Sequence, residues 1–70
     1  MTEELLIQTA KEYLERSEYK KICVLISPIT FKEFYPDEIS IYKIIDESII
    51  ITSSELIKKD SMDIMIIPVK

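Results

Sequence analysis

Ile22-Cys23-Val24-Leu25-Ile26 is a run of five apolar residues that stops at Ser27-Pro28. Successive side chains of a strand point to opposite faces. Ile22, Val24 and Ile26 therefore line one face, and Cys23 and Leu25 the other. A helix of the same composition is conceivable, but β-branching, the shortness of the run and the Ser-Pro stop favour a strand. A strand apolar on both faces needs cover on both. That requirement governs how the rest of the chain is read.

Working outward toward the N-terminus, residues 3–18 have the pattern of an amphipathic helix. Thr2 is placed to cap it, and Glu3 and Glu4 fall in the first turn, where the helix dipole favours negative charge. Leu6, Ala10, Tyr13 and Leu14 recur at helical spacing, and Leu5 and Ile7 widen the stripe. Glu12 and Arg16 form an expected i,i+4 pair on the solvent side.

In the other direction, Ser27-Pro28 is also a helix-start signature, and Pro36 would end such a helix. Residues 29–35, Ile-Thr-Phe-Lys-Glu-Phe-Tyr, are rich in weak helix formers, so an irregular aromatic loop is the favoured reading. Pro36-Asp37-Glu38 makes a turn. Strands are expected at 39–45 and 49–52, joined by a hairpin loop at Asp46-Glu47-Ser48. Without Gly or Asn the tight primed turns are disfavoured, which predicts a loop of three or more residues. Segment 53–60 reads either as a short helix capped by Ser53 or Ser54, or as a continued strand turning at Lys59-Asp60-Ser61. Residues 63–69 read as the last strand, with Pro68 at an edge or past the pairing.

The predicted fold is one small α+β domain over residues 1–70, with the N-terminal helix packed on a mostly antiparallel sheet of about four strands. One helix covers one sheet face. The second face needs the 29–35 aromatics, a short helix near 55–59, a second copy of the chain or another protein. A core of this size rarely supplies more than about 3–5 kcal/mol, and small domains add disulfides, a metal or a partner subunit. One cysteine makes no internal disulfide, and no histidine is present for a zinc site. Self-association, as a homodimer, is the remaining route.

Absences bound the chemistry. The chain has no Gly and no His. It therefore has no glycine-rich phosphate loop, no Gly-flanked nucleophile elbow and no Ser-His or Cys-His pair. No cofactor and no catalytic activity are expected. Cys23 lies among apolar neighbours rather than in the electropositive setting of a reactive thiol, so a buried core thiol is the better reading. The carboxylates Asp37, Glu38, Asp46, Glu47, Asp60 and Asp63 flank strands, where solvated loop charges are the plainer reading than a divalent-ion site. Glu55 and Lys58 stand one residue too far apart for a carboxylate–lysine nuclease pattern.

Two surfaces are candidates for binding. Phe31, Phe34 and Tyr35 serve equally well as anchors of an interface or as a lid over the domain's own core. Lys20, Lys21, Lys58 and Lys59 are the candidates for phosphate contacts in an alternative reading as a nucleic-acid-binding regulator. Against it stand a net charge of −4 and local charges of −1 for residues 1–21, −3 for 22–48 and 0 for 49–70. Repulsion would oppose the encounter with nucleic acid. Fifteen isoleucines, with Lys and Glu dominating and amides nearly absent, match a thermophile bias, which an AT-rich genome also produces. No window is long enough to span a membrane, and the acidic N-terminus is unlike a signal peptide, so a cytoplasmic location is expected. The leading expectation is a small non-catalytic protein-interaction module, binding through an apolar sheet face, an edge strand or the Phe31–Tyr35 segment. Its acidic middle would suit a basic partner.

Overall fold

A computed structural model describes residues 1–66. Two helices and four strands follow in the order α1 (Glu3–Arg16), β1 (Ile22–Ile26), α2 (Pro28–Phe34), β2 (Tyr42–Ile44), β3 (Ile49–Ser53) and β4 (Met62–Ile66). The strands form one sheet in the order β2-β3-β1-β4. Pairings β2–β3 and β1–β4 are antiparallel, and the central pair β1–β3 is parallel. This is an α+β arrangement with a mostly antiparallel, mixed sheet.

β1 sits inside the sheet beside β3, and both of these inner strands carry apolar side chains on both faces. Four of the five β1 residues are buried and Leu25 is half-buried. Its register sets Ile22 beside Ile49 and Ile66, and Val24 beside Ile51 and Ile64. Leu6 and Ala10 of α1 and Phe31 of α2 join Ile22, Val24, Ile26, Ile49 and Ile51 in one buried cluster. All the strand residues of that cluster share one pleat parity, so both helices lie on the same face of the sheet.

α1 begins where the sequence indicates. The Thr2 hydroxyl accepts from the Leu5 backbone N–H at 3.2 Å, satisfying one of the donors a helix start leaves unpaired. The helix ends at Arg16 rather than at residue 18, and Ser17 caps it by donating its N–H to the Leu14 carbonyl. Leu6 and Ala10 are buried, while Leu5 and Tyr13 face outward. The expected Glu12–Arg16 pair does not form: Glu12 accepts instead from the Gln8 amide at 3.3 Å.

Residues 29–35 correct the expectation of a loop, since all but Tyr35 belong to α2. Ser27 accepts from the Thr30 N–H at 3.1 Å and donates its hydroxyl to Thr30 Oγ1 at 2.9 Å. Pro28 supplies the first helical position, where a missing N–H costs nothing. The low propensity of Thr and Phe costs about 0.5 kcal/mol per residue. Burying the Phe31 side chain returns about 1.5–3 kcal/mol, so tertiary packing decides the outcome. Tyr35 precedes Pro36 and leaves the helical region, which ends the helix.

The strand expected at 39–45 is shorter, Tyr42–Ile44, and Ile39 is fully exposed outside it. The hairpin to β3 closes through residues 45–48. Asp46 Oδ1 accepts from the N–H groups of Ser48 at 2.7 Å and Ile49 at 3.0 Å. An Asx turn thus takes the role that Asn-Gly plays in tighter hairpins. Residues 54–60 are neither helix nor strand but a loop of turns carrying the chain past the end of β1. Ser54 ties it down by donating its N–H to the Ile26 carbonyl at 2.8 Å. Asp60 takes a positive φ of 64° within it, a conformation Asp tolerates better than most residues. β4 begins at Met62, and the expected continuation through Ile67, Pro68 and Val69 lies outside the described residues.

Candidate functional site

Pleat parity divides the sheet into two unlike faces. The face under the helices is the core. The opposite face carries two rows that cross all four strands: Ile44, Ile50, Cys23 and Met65 in one, Tyr42, Thr52, Leu25 and Asp63 in the other. Seven of these eight side chains are uncharged. Neither helix covers them, since both pack on the other face.

Exposure across these rows follows from position in the sheet. On the outer strands, Ile44 is 60%, Met65 51% and Tyr42 48% exposed. On the inner strands, Ile50, Leu25 and Thr52 are half-buried by their neighbours. Cys23 is buried despite facing this side, because its short side chain sits between Ile50 and Met65 in the register. Its Sγ lies 3.1 Å from Thr52 Oγ1. The thiol is therefore packed and hydrogen-bonded rather than poised in the electropositive setting that nucleophilic attack requires. Asp63, the one charge on the face among the described residues, stands at a corner, where its Oδ1 accepts from the Ile64 N–H at 2.9 Å.

Dimensions follow from strand geometry. Three strands of five residues and one of three, about 4.8 Å apart at 3.3 Å per residue, cover on the order of 300 Å². That footprint lies at the low end of the largest apolar patch a typical soluble monomer carries, a patch that is often functional.

The other residues singled out in the sequence are distributed differently. Phe31 is buried in the core cluster, and Phe34 and Tyr35 are half-buried against it. The Tyr35 ring meets Phe31 at 5.2 Å and Phe34 at 6.1 Å, both edge to face. Lys43, reaching over the helix side of β2, places its ammonium 5.9 Å from the centre of that ring and 3.7 Å from Glu38. The three rings thus close one end of the domain's own core. The Tyr35 hydroxyl oxygen is shielded from water and makes no hydrogen bond among the described residues. Burial first, and then the nearby Glu3 carboxylate, hold this phenol well above its ordinary value of 10.0. Glu3 approaches it without reaching hydrogen-bonding geometry.

The lysine pairs are not brought together. Lys20 and Lys21 precede β1, at the end of the sheet where that strand begins. Lys58 and Lys59 lie in the loop between β3 and β4, beyond the end where β1 finishes. The length of a five-residue strand, about 16 Å, separates the two ends. The carboxylates are scattered as well, and no group of three or more metal-ligating side chains converges among the described residues. No helix among those residues is long and apolar enough to cross a membrane.

The open sheet face was legible in part from the two-sided apolar pattern of β1. What the pattern lacked was the side of the sheet that α2 would take. Comparison of the chain with protein-family models, with curated proteins and with solved structures finds no match.

Proposed function

We propose that this chain is a small, non-catalytic protein-interaction module whose binding surface is the open face of the sheet. The observation that carries the reading is the pair of rows running across all four strands, uncharged except at one corner and largely apolar, with both helices on the opposite side. Burying such a face is worth about 25 cal/mol per Å² of apolar area. The occupant is a polypeptide surface that is itself apolar and uncharged. A strongly basic partner would find only Asp63 on this face. Phe31, Phe34 and Tyr35 contribute indirectly, by closing the core that holds the sheet in shape.

Site-specific photo-crosslinking tests the reading in cells that make the protein. A photoreactive residue at Ile44, on the open face, should capture a protein, while the same residue at Glu15, exposed on α1, should not. No adduct at Ile44, or equal adducts at both positions, would remove this face as the binding surface.

A further inference from the structure

We infer that the outer edge of β2 takes up an extended polypeptide as a further strand, and that the segment it selects is aliphatic in the middle with basic residues at both ends. The site is built on backbone groups of β2, so it stands apart from the open-face reading, which uses side chains.

Backbone pairing is the first support. β2 is the last strand on its side of the sheet. The Ser53 N–H donates to the Ile41 carbonyl at 2.7 Å, and the Ile45 N–H donates to the Ile49 carbonyl at 3.0 Å. Alternate residues of an antiparallel strand bond to the same neighbour, so Ile41, Lys43 and Ile45 serve β3. The N–H and C=O groups of Tyr42 and Ile44 therefore point away from β3, at an edge that no other strand of the described residues occupies. A row of unpaired groups of this kind is a template for strand addition. The usual guards against it are missing. β2 holds no proline and its register with β3 runs without a bulge. Its one charge, Lys43, is drawn over the helix side, 3.7 Å from Glu38 and 5.9 Å from the centre of the Tyr35 ring.

Side chains beside the edge say what it takes. Ile39 is fully exposed and Ile41 is 68% exposed. By pleat parity Tyr42 and Ile44 stand on the open face and Ile41 on the helix face. An incoming strand thus finds apolar neighbours on both of its faces, which suits a segment aliphatic on both. Charge sets its ends. From Asp37 to Glu47 the chain holds four carboxylates and one lysine, a net −3, and that lysine is already paired with Glu38. Asp37 and Glu38 precede the strand, and Asp46 and Glu47 follow it, so a segment lying along β2 meets negative charge at both ends. Opposite charges across neighbouring strands attract and like charges repel. A second copy suits this edge poorly for that reason. Paired antiparallel about Lys43, it sets the two lysines opposite each other, and paired about Tyr42 it brings Glu38 toward Asp46. Paired about Ile44, it lays Asp46 and Glu47 against Tyr42 and Ile41.

Backbone amide hydrogen exchange, read by nuclear magnetic resonance, tests the inference with a synthetic peptide, Lys-Arg-Ile-Val-Val-Ile-Arg-Lys. Saturating peptide should slow exchange at Tyr42 and Ile44, the outward amides, by about tenfold or more. A peptide with the same centre and acidic ends, Glu-Asp-Ile-Val-Val-Ile-Asp-Glu, should bind on the order of tenfold more weakly, and the difference should shrink as sodium chloride is added. The basic peptide N-methylated at its four central residues keeps its charge but cannot donate to the edge, and it should give no protection. Ile44→Pro removes one outward N–H at an edge position that tolerates proline, so this variant should keep the wild-type circular dichroism and bind the basic peptide about tenfold more weakly. Unchanged exchange at Tyr42 and Ile44 under millimolar basic peptide overturns the inference, as does equal binding of the acidic or the N-methylated peptide. Amides of Tyr42 and Ile44 that slow with rising protein concentration alone would put a second copy on the edge and overturn it too.

Discussion

Tyr35 is the residue on which the packing is least complete. Its ring is used fully, edge to face with two phenylalanines and under the Lys43 ammonium, while its hydroxyl is shielded without a partner. A buried donor left unpaired costs the desolvation it has undergone, on the order of 1–3 kcal/mol. Tyr35→Phe keeps the ring and removes that cost, so it should raise the urea midpoint, by an equivalent of about 1 kcal/mol. A lower midpoint would show that the hydroxyl is paired. The same group governs alkaline behaviour. Its folded value is raised, so above pH 10 the unfolded chain gives up a proton that the folded chain retains, and stability falls as pH rises. Tyr35→Phe should lose that portion of the decline, measured by urea melts between pH 9 and pH 11.

At the scale of elements, the sheet's two faces predict opposite responses to the same kind of substitution. Ile51 is buried beneath the helices, and Ile51→Ala should cost about 2–5 kcal/mol. That is comparable with the whole stability of a domain this small, so the variant should be largely unfolded by circular dichroism. Ile44 is exposed on the open face, and Ile44→Ala should leave the monomer's stability within about 0.5 kcal/mol of wild type. α2 makes a separate prediction. Ser27 holds both the Thr30 N–H and the Thr30 hydroxyl, so Ser27→Ala should destabilise by about 1–2 kcal/mol, read as a lower midpoint in urea. An unchanged midpoint would mean that Phe31 alone keeps the helix in place. These contrasts also mark what could be read from residues. The helix-start signature at Ser27-Pro28 was visible, but propensity over 29–35 pointed toward a loop, and only the burial of Phe31 settled the matter.

For the whole molecule, the arrangement of layers decides where association happens and how it responds to salt. Both helices occupy one side, and the carboxylates outside them belong to the loops, save Asp63 at one corner of the open face. A contact made by the largely apolar open face should survive added salt unchanged or tighten slightly, because salt does not weaken apolar burial. An assembly held by ion pairs would loosen under the same titration. Sedimentation equilibrium at low and high sodium chloride distinguishes the two.

By itself the sequence determined the local elements whose signals are local: the capped start of α1, the central strand Ile22–Ile26, the hairpin closed by Asp46, and the buried state of Cys23. It also determined that one helix could not cover a sheet with apolar side chains on both faces. Strand order, the parallel pairing of β1 with β3, and the side of the sheet taken by α2 were decided only by the tertiary structure. The physical reason is that each depends on contacts between segments far apart in the chain, and no local propensity encodes the direction in which a chain returns. The open face exists because α2 packed beside α1, where Phe31 found the core, instead of crossing to the other side.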